Sequence, residues 1–288
     1  MRYGELKIEV YFSLAQTFWL ITVLLAYAIA CVSCLSLFRI NRVICLPGWK
    51  KGSPCESEAL SCLHVTEKNM DPYYLRKKAV SVRRELLTMI YHGKAGHTGG
   101  ALSSVDILAA LYYGVMRVNP ANPAWEDRDY FIMSKGHCVE GLFCILADLG
   151  FFDKEELKTF NAFGTRLIGH PNNKLPGIEM NTGALGHGLS IATGIAKGVK
   201  MSGRSNRVFT LMGDGEQAEG SVWEAAMAAA YYKLDNLTAV IDRNSLQISG
   251  NTENVMALEP LAEKMELFRL AGGRSGRTRR GSPRRDSR

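Results

Sequence analysis

Asp214 and Asn244, thirty positions apart, are the residues whose types and spacing could do chemistry, because each ends a short apolar run. Asp214 sits between Gly213 and Gly215, which let the backbone turn sharply and let an anionic group come close. Val208 to Met212 is apolar and β-branched enough for a buried strand, and Leu237 to Ile241 for a second. Between them Val222, Ala225, Ala226, Ala229 and Tyr232 recur at helical spacing in an alanine-rich stretch. Together these segments form a βαβ unit, whose right-handed crossover returns the second strand parallel to the first. Both residues then finish at one sheet edge. A carboxylate and a carboxamide oxygen beside a helix N-terminus suit Mg²⁺ shared with a diphosphate, since magnesium takes oxygen ligands and keeps several from water and phosphate. Asp-Gly pairs ordinarily only make turns, and a strand-ending asparagine ordinarily only opens a loop, so on the residues alone both readings stand.

Three histidines each follow a glycine. His97 lies in the glycine-rich stretch Lys94 to Gly100, and His137 follows a strand expected over Asp129 to Ser134, ahead of a helix through Leu142, Ile145 and Leu146. His170 lies in Leu167 to Gly188, too rich in glycine and proline for regular structure. The strand, loop, helix order would gather all three at the edge that carries Asp214. Taken singly, each is equally compatible with an ordinary surface position. Glu219 opens the expected helix after Asp214, where a carboxylate favours the helix dipole whatever else it does.

GDG, about thirty residues, then Asn resembles the thiamine diphosphate signature, and GDGEQAEGSVWEAA followed by DRNSLQISG resembles the transketolase family in particular. The resemblance covers residues 70 to 264 and implies an α/β fold, an open, mostly parallel sheet with helices on both faces. It implies thiamine diphosphate and Mg²⁺ as cofactors and transfer of a two-carbon ketol unit between sugar phosphates. Asp214, Asn244 and the main-chain carbonyl of Leu246 would hold the metal. Gly213, Gly215 and His137 would lie at the diphosphate, and Gly183 and Leu185 at the aminopyrimidine side. His97 and His170 would reach the sugar, and Glu219 would stand at a subunit interface communicating with the cofactor. His187, where many members have glutamine, inherits no role, and Thr98 stands where proline is frequent. Deoxyxylulose phosphate synthases and the α chains of 2-oxoacid dehydrogenases share the signature, but EGSVWE and LPGIE favour transketolase.

Members of this family draw an activating glutamate from a pyrimidine-binding domain, and no such domain follows residue 264. The resemblance therefore implies a diphosphate-binding half completed by a C-terminal transketolase half, in a homodimer or heterotetramer. A truncated remnant without activity is the competing expectation.

The elements that must position these residues occupy the middle of a 288-residue chain with 47% hydrophobic content, enough for a substantial core. Its charge of +7 matches the eight arginines and one acid of residues 269 to 288 alone, so the core is neutral and nucleic acid is not an expected partner. That tail, 265 to 288, reads as a disordered arginine-rich segment. Residues 1 to 69 read as an extension foreign to the family, with no recognisable element over 40 to 69. It arises either from an upstream start or from a genuine anchor, since the uncharged run 14 to 38 is long enough to cross a bilayer. In the anchored case the lysines and arginines after the run leave the domain cytoplasmic; otherwise the chain is expected to be simply cytoplasmic. Seven irregularly spaced cysteines do not suggest a disulfide framework. Leu75 to His92 reads as a helix with a solvated basic face, and Ser103 with Asp106 reads as a capping box opening the next one.

Overall fold

A computed structural model of the protein describes residues 71 to 268, together with the backbone of two short strands, Arg42–Leu46 and Gly273–Ser275. Strands β1 (Arg42–Leu46), β2 (Tyr130–Met133), β3 (Val208–Gly213), β4 (Leu237–Arg243) and β7 (Gly273–Ser275) form one sheet in the order β2, β3, β4, β1, β7. β2, β3 and β4 are parallel, while β1 is antiparallel to both β4 and β7. Only β1 is therefore reversed, as an open and mostly parallel sheet requires. A small hairpin of β5 (Leu246–Gln247) and β6 (Gly250–Asn251) follows β4.

Alternation along the central strands divides the core into two layers. Phe131, Met133, Phe209, Leu211 and Val240 face one layer, Ile132, Val208, Met212, Ala239 and Ile241 the other. The first is covered by α1 (Pro72–Gly93), α2 (Thr98–Ala110) and α3 (Glu140–Leu149) through large side chains such as Leu86, Leu108, Phe143 and Leu146. The second is covered by α4 (Gly188–Met201), α5 (Gly220–Tyr231) and α7 (Leu261–Glu266), with Ala192, Ala196, Ala225, Ala226, Ala229 and Ala262 in the contact. The short α6 (Thr252–Val255) lies between β6 and α7.

Several local expectations change. α1 starts earlier than the apolar spacing indicates, at Pro72, because the Asp71 carboxylate accepts the N–H groups of Tyr73 and Tyr74 and proline fits the first turn. Part of its basic face is paired, Lys78 with Asp148 and Arg83 with Asp106. α2 starts at Thr98 and not at Ser103, whose hydroxyl bonds Gly100 O and Asp242 from inside the helix, so no capping box forms. Residues 40 to 69 contain strand β1, since the open edge of β4 supplies a full ladder for a β-branched segment. Residues 265 to 288 contain strand β7, and Phe268 stacks on Trp223 at 5.8 Å. The apolar run 14 to 38 lies outside the described residues, and among those described no helix is long and apolar enough to cross a membrane.

Candidate functional site

The site is built at the edge where β2, β3 and β4 end. Register aligns Gly213 with Asp242, so the turns leaving β3 and β4 emerge side by side. Asp214, only 1% exposed, heads a 3-10 turn over Gly215–Ala218. Its Oδ1 accepts the Gly215 N–H at 2.8 Å, and its Oδ2 accepts the Ser245 N–H at 2.5 Å and an Arg243 guanidinium N–H at 2.9 Å. Ser245 follows Asn244 directly, so the two segments expected to converge are in contact. Asn244 Oδ1 accepts the Leu246 N–H at 2.9 Å, which curls the chain back after β4 and leaves Leu246 at the surface.

These donors are all hard oxygens: one carboxylate, one carboxamide and a main-chain carbonyl. Among the described residues no three His, Cys, Asp or Glu side chains cluster as a metal site. A cation here would have to draw the rest of its coordination from water and an anionic ligand, the habit of magnesium.

Beneath the edge lies a floor of buried charge that the sequence did not announce. Lys135, 2% exposed, donates to Asp242 Oδ2 at 2.7 Å and to Gly100 O at 3.1 Å, and Ser103 donates to the same carboxylate oxygen at 2.5 Å. Burial works against the Lys135 ammonium, but Asp242 and the other anions nearby outweigh it and hold the amine above its usual range. Glu216 accepts from the Ser134 hydroxyl, from Gly186 N–H at 2.9 Å and from Gly213 N–H at 3.0 Å. Burial raises its carboxyl and those hydrogen bonds partly restore it. Glu216 thus ties β2, β3 and the loop before α4 together. Arg243 joins Asp214 to Thr252, Glu253 and Glu259.

The three histidines come from three different loops. The His97 and His137 rings meet edge to face with centroids 5.0 Å apart. His170 packs on Gly183, where an added Cβ would lie 2.7 Å from the imidazole; Gly183 also has φ +156°, so only glycine serves there. His137 is pushed from 6.5 down to about 4, first by burial and then by Lys135, His97 and His170. It is neutral at ordinary pH and available as an acceptor. The loop over 182 to 186 rests on the turn after β2 through Thr182 Oγ1 to Met133 O at 2.6 Å. Gly183 and Leu185 lie half-buried on it, while Glu219 and His187 are exposed. Glu219 is the N-cap of α5, but its side chain makes no capping bond. Cys138 and Cys144 are buried packing residues, the Cys138 thiol pushed up to about 12 by burial.

Sequence reasoning missed Lys135, Glu140, Glu216, Asp242 and Arg243. Glu216 and Arg243 lie inside the quoted motifs, and Glu140 interrupts an otherwise apolar helix, which is itself a signal. The Lys135 and Asp242 pair spans 107 positions and had none.

The family model for the thiamine diphosphate binding domain of transketolase matches residues 75 to 268. One of the two subunits of an apulose-4-phosphate transketolase from Phocaeicola vulgatus is 53% identical over 186 residues, 65% of this chain and 66% of that one. Its namesake from Actinobacillus succinogenes is 44% identical over 206 residues, 69% of this chain and 75% of that one. Among solved structures, the transketolase of Campylobacter jejuni superposes with a TM-score of 0.66 at 31% identity, over 69% of this chain and 32% of that chain. The chain thus spans about two thirds of the first relative and about a third of the solved one. The convergence of Asp214 with the turn after β4, at the edge that the glycine-histidine loops also reach, agrees with that match, and the chain belongs to the transketolase family, of which it carries the thiamine diphosphate-binding domain.

Proposed function

We propose that this chain is the diphosphate-binding half of a transketolase, transferring a two-carbon ketol unit between sugar phosphates once a C-terminal half supplies the pyrimidine-binding domain. The reading rests above all on the contact between Asp214 and the Asn244-Ser245 turn, within a domain that matches the family model from residue 75 to 268. Two relatives whose names make them single subunits of a transketolase support a divided enzyme, assembled as a homodimer or heterotetramer. The functional domain is taken as residues 70 to 264, with 1 to 69 and 265 to 288 lying outside it.

Asp214, Asn244 and the Leu246 carbonyl would hold Mg²⁺, and Gly213, Gly215 and His137 would face the diphosphate. When bound, the thiamine group supplies the electron sink that makes cleavage next to a ketose carbonyl possible. This chain's own residues do the rest. Neutral His137 accepts or donates a hydrogen bond without adding charge, and Gly183 and Leu185 present main-chain groups to the aminopyrimidine side. His97 and His170 orient the sugar hydroxyls. Glu219, exposed at the head of α5, is open to contact with a neighbouring chain.

Purified chain mixed with a C-terminal transketolase half, thiamine diphosphate and Mg²⁺ should transfer ketol units between sugar phosphates, and neither chain alone should. Robust transfer by this chain alone refutes the divided site. No transfer by the mixture, with cofactor bound, refutes the activity.

A further inference from the structure

Glu140 is the first residue of α3 and is fully buried, yet nothing in the proposed chemistry uses it. Its Oε1 accepts the backbone N–H of His97 at 2.8 Å, across 43 positions of sequence. The approach is possible because of Gly96: a Cβ there would lie 2.7 Å from that same oxygen, and its φ of +143° disfavours any other residue. The second oxygen, Oε2, is buried without a partner. A carboxylate kept in that state carries a desolvation cost that a purely structural anchor avoids by satisfying both oxygens. Burial accordingly raises the Glu140 carboxyl. Its own backbone N–H, the His97 N–H and the charges of His97 and His170 oppose that rise, so both rings are within electrostatic reach.

We propose that Glu140 is a positioning residue for His97: Oε1 pins the Gly96-His97 turn at the head of α2, and Oε2 is an acceptor held for an imidazole N–H of the His97, His137 and His170 group. The head of α2 needs such an anchor, because His97 gives its helix no side-chain cap and two of the helix's first three residues are glycines. This inference rests on the reading of His97 as a sugar-orienting residue. The anchor itself is geometric and is measurable without turnover.

The test compares Glu140→Ala and Glu140→Gln in the full chain. Amide hydrogen exchange at His97, followed by NMR, should rise about tenfold or more in the alanine variant and stay near the parent rate in the glutamine variant, which keeps an oxygen for the His97 N–H. Amides of β3 and β4 should be unchanged in both. In the complex with a C-terminal half, the alanine variant should raise the KM for the sugar phosphate about tenfold with thiamine diphosphate affinity unchanged. Glutamine should restore only part of that KM, because it cannot offer two acceptors. Unchanged His97 exchange in the alanine variant, or equal exchange in the two variants, overturns the anchor. Full recovery of KM by glutamine overturns the role of Oε2. A parent complex that transfers no ketol unit refutes the function while the exchange result still decides the anchor.

Discussion

The two ends of the same strands treat buried carboxylates in opposite ways. Before β2, Asp129 is 2% exposed, and its two oxygens receive six hydrogen bonds, from the backbone and side chains of Arg117 and Arg207. After β2 and β4, Glu140 and Asp242 each keep a buried oxygen without a partner, and among the described residues these are the unpartnered buried carboxylate oxygens. The unpaired polar atoms at the opposite end include the Asn206 and Asn236 amide oxygens, which are neutral and cost less to leave open. Saturation at one end serves the fold. Spare acceptors at the other end mark where a ligand and a partner surface complete the structure.

The sharpest break of this contrast is Asp214→Ala, which should lower Mg²⁺-dependent thiamine diphosphate affinity at least about a hundredfold, measured by calorimetry on the folded chain. Unchanged binding would remove Asp214 from the metal site. At the opposite end, Asp129→Ala should cost about 3 kcal/mol of stability in denaturant melts, because two guanidinium groups lose their shared acceptor. Affinity of the surviving folded fraction should not change; if it does, the division of labour between the two ends is wrong. Gly183→Ala should be milder, about 1–3 kcal/mol, and should weaken sugar-phosphate binding more than cofactor binding because His170 is displaced. A thermal shift without any change in KM would make that contact structural.

The smallest effect concerns pH. The folded-state value of His137 is depressed, from 6.5 to about 4, so its contribution to stability is present above 6.5 and is lost as pH falls toward 4, where the unfolded chain takes up the proton first. A His137→Asn variant should flatten the melting temperature profile in that window, by a modest amount since the ring is partly solvated. An unaltered slope would assign the acid sensitivity elsewhere.

What the sequence disclosed and what it hid divide along the same line. The βαβ unit, the parallel sheet and the meeting of the Asp214 and Asn244 segments were legible because strand and helix periods are local and the crossover rule does the rest. The three glycine-histidine pairs were legible because a flexible residue ahead of a polar one marks a loop tip. The buried charges were not. Lys135 reads as an ordinary basic residue until Asp242 is found against it, and Ser103 reads as a cap until its hydroxyl is found on that same carboxylate. Their environment is made only by packing three elements together, and no window of sequence contains it. The start of α2 was misplaced for the same reason, since its anchor is Glu140 in another helix.

The unequal layers of the core carry a consequence for how the chain tolerates substitution. Where α4 and α5 lie on the sheet, alanines leave no room, so enlarging Ala192, Ala226 or Ala229 forces helices apart, while shrinking them is hardly possible. Under α1, α2 and α3 the reverse holds: Leu86, Phe143 and Leu146 leave holes when trimmed, at roughly 2–5 kcal/mol each. One sheet thus has two opposite sensitivities to drift, with growth forbidden on one side and loss on the other. The strands between them, alternating residue by residue, are bound by both constraints at once.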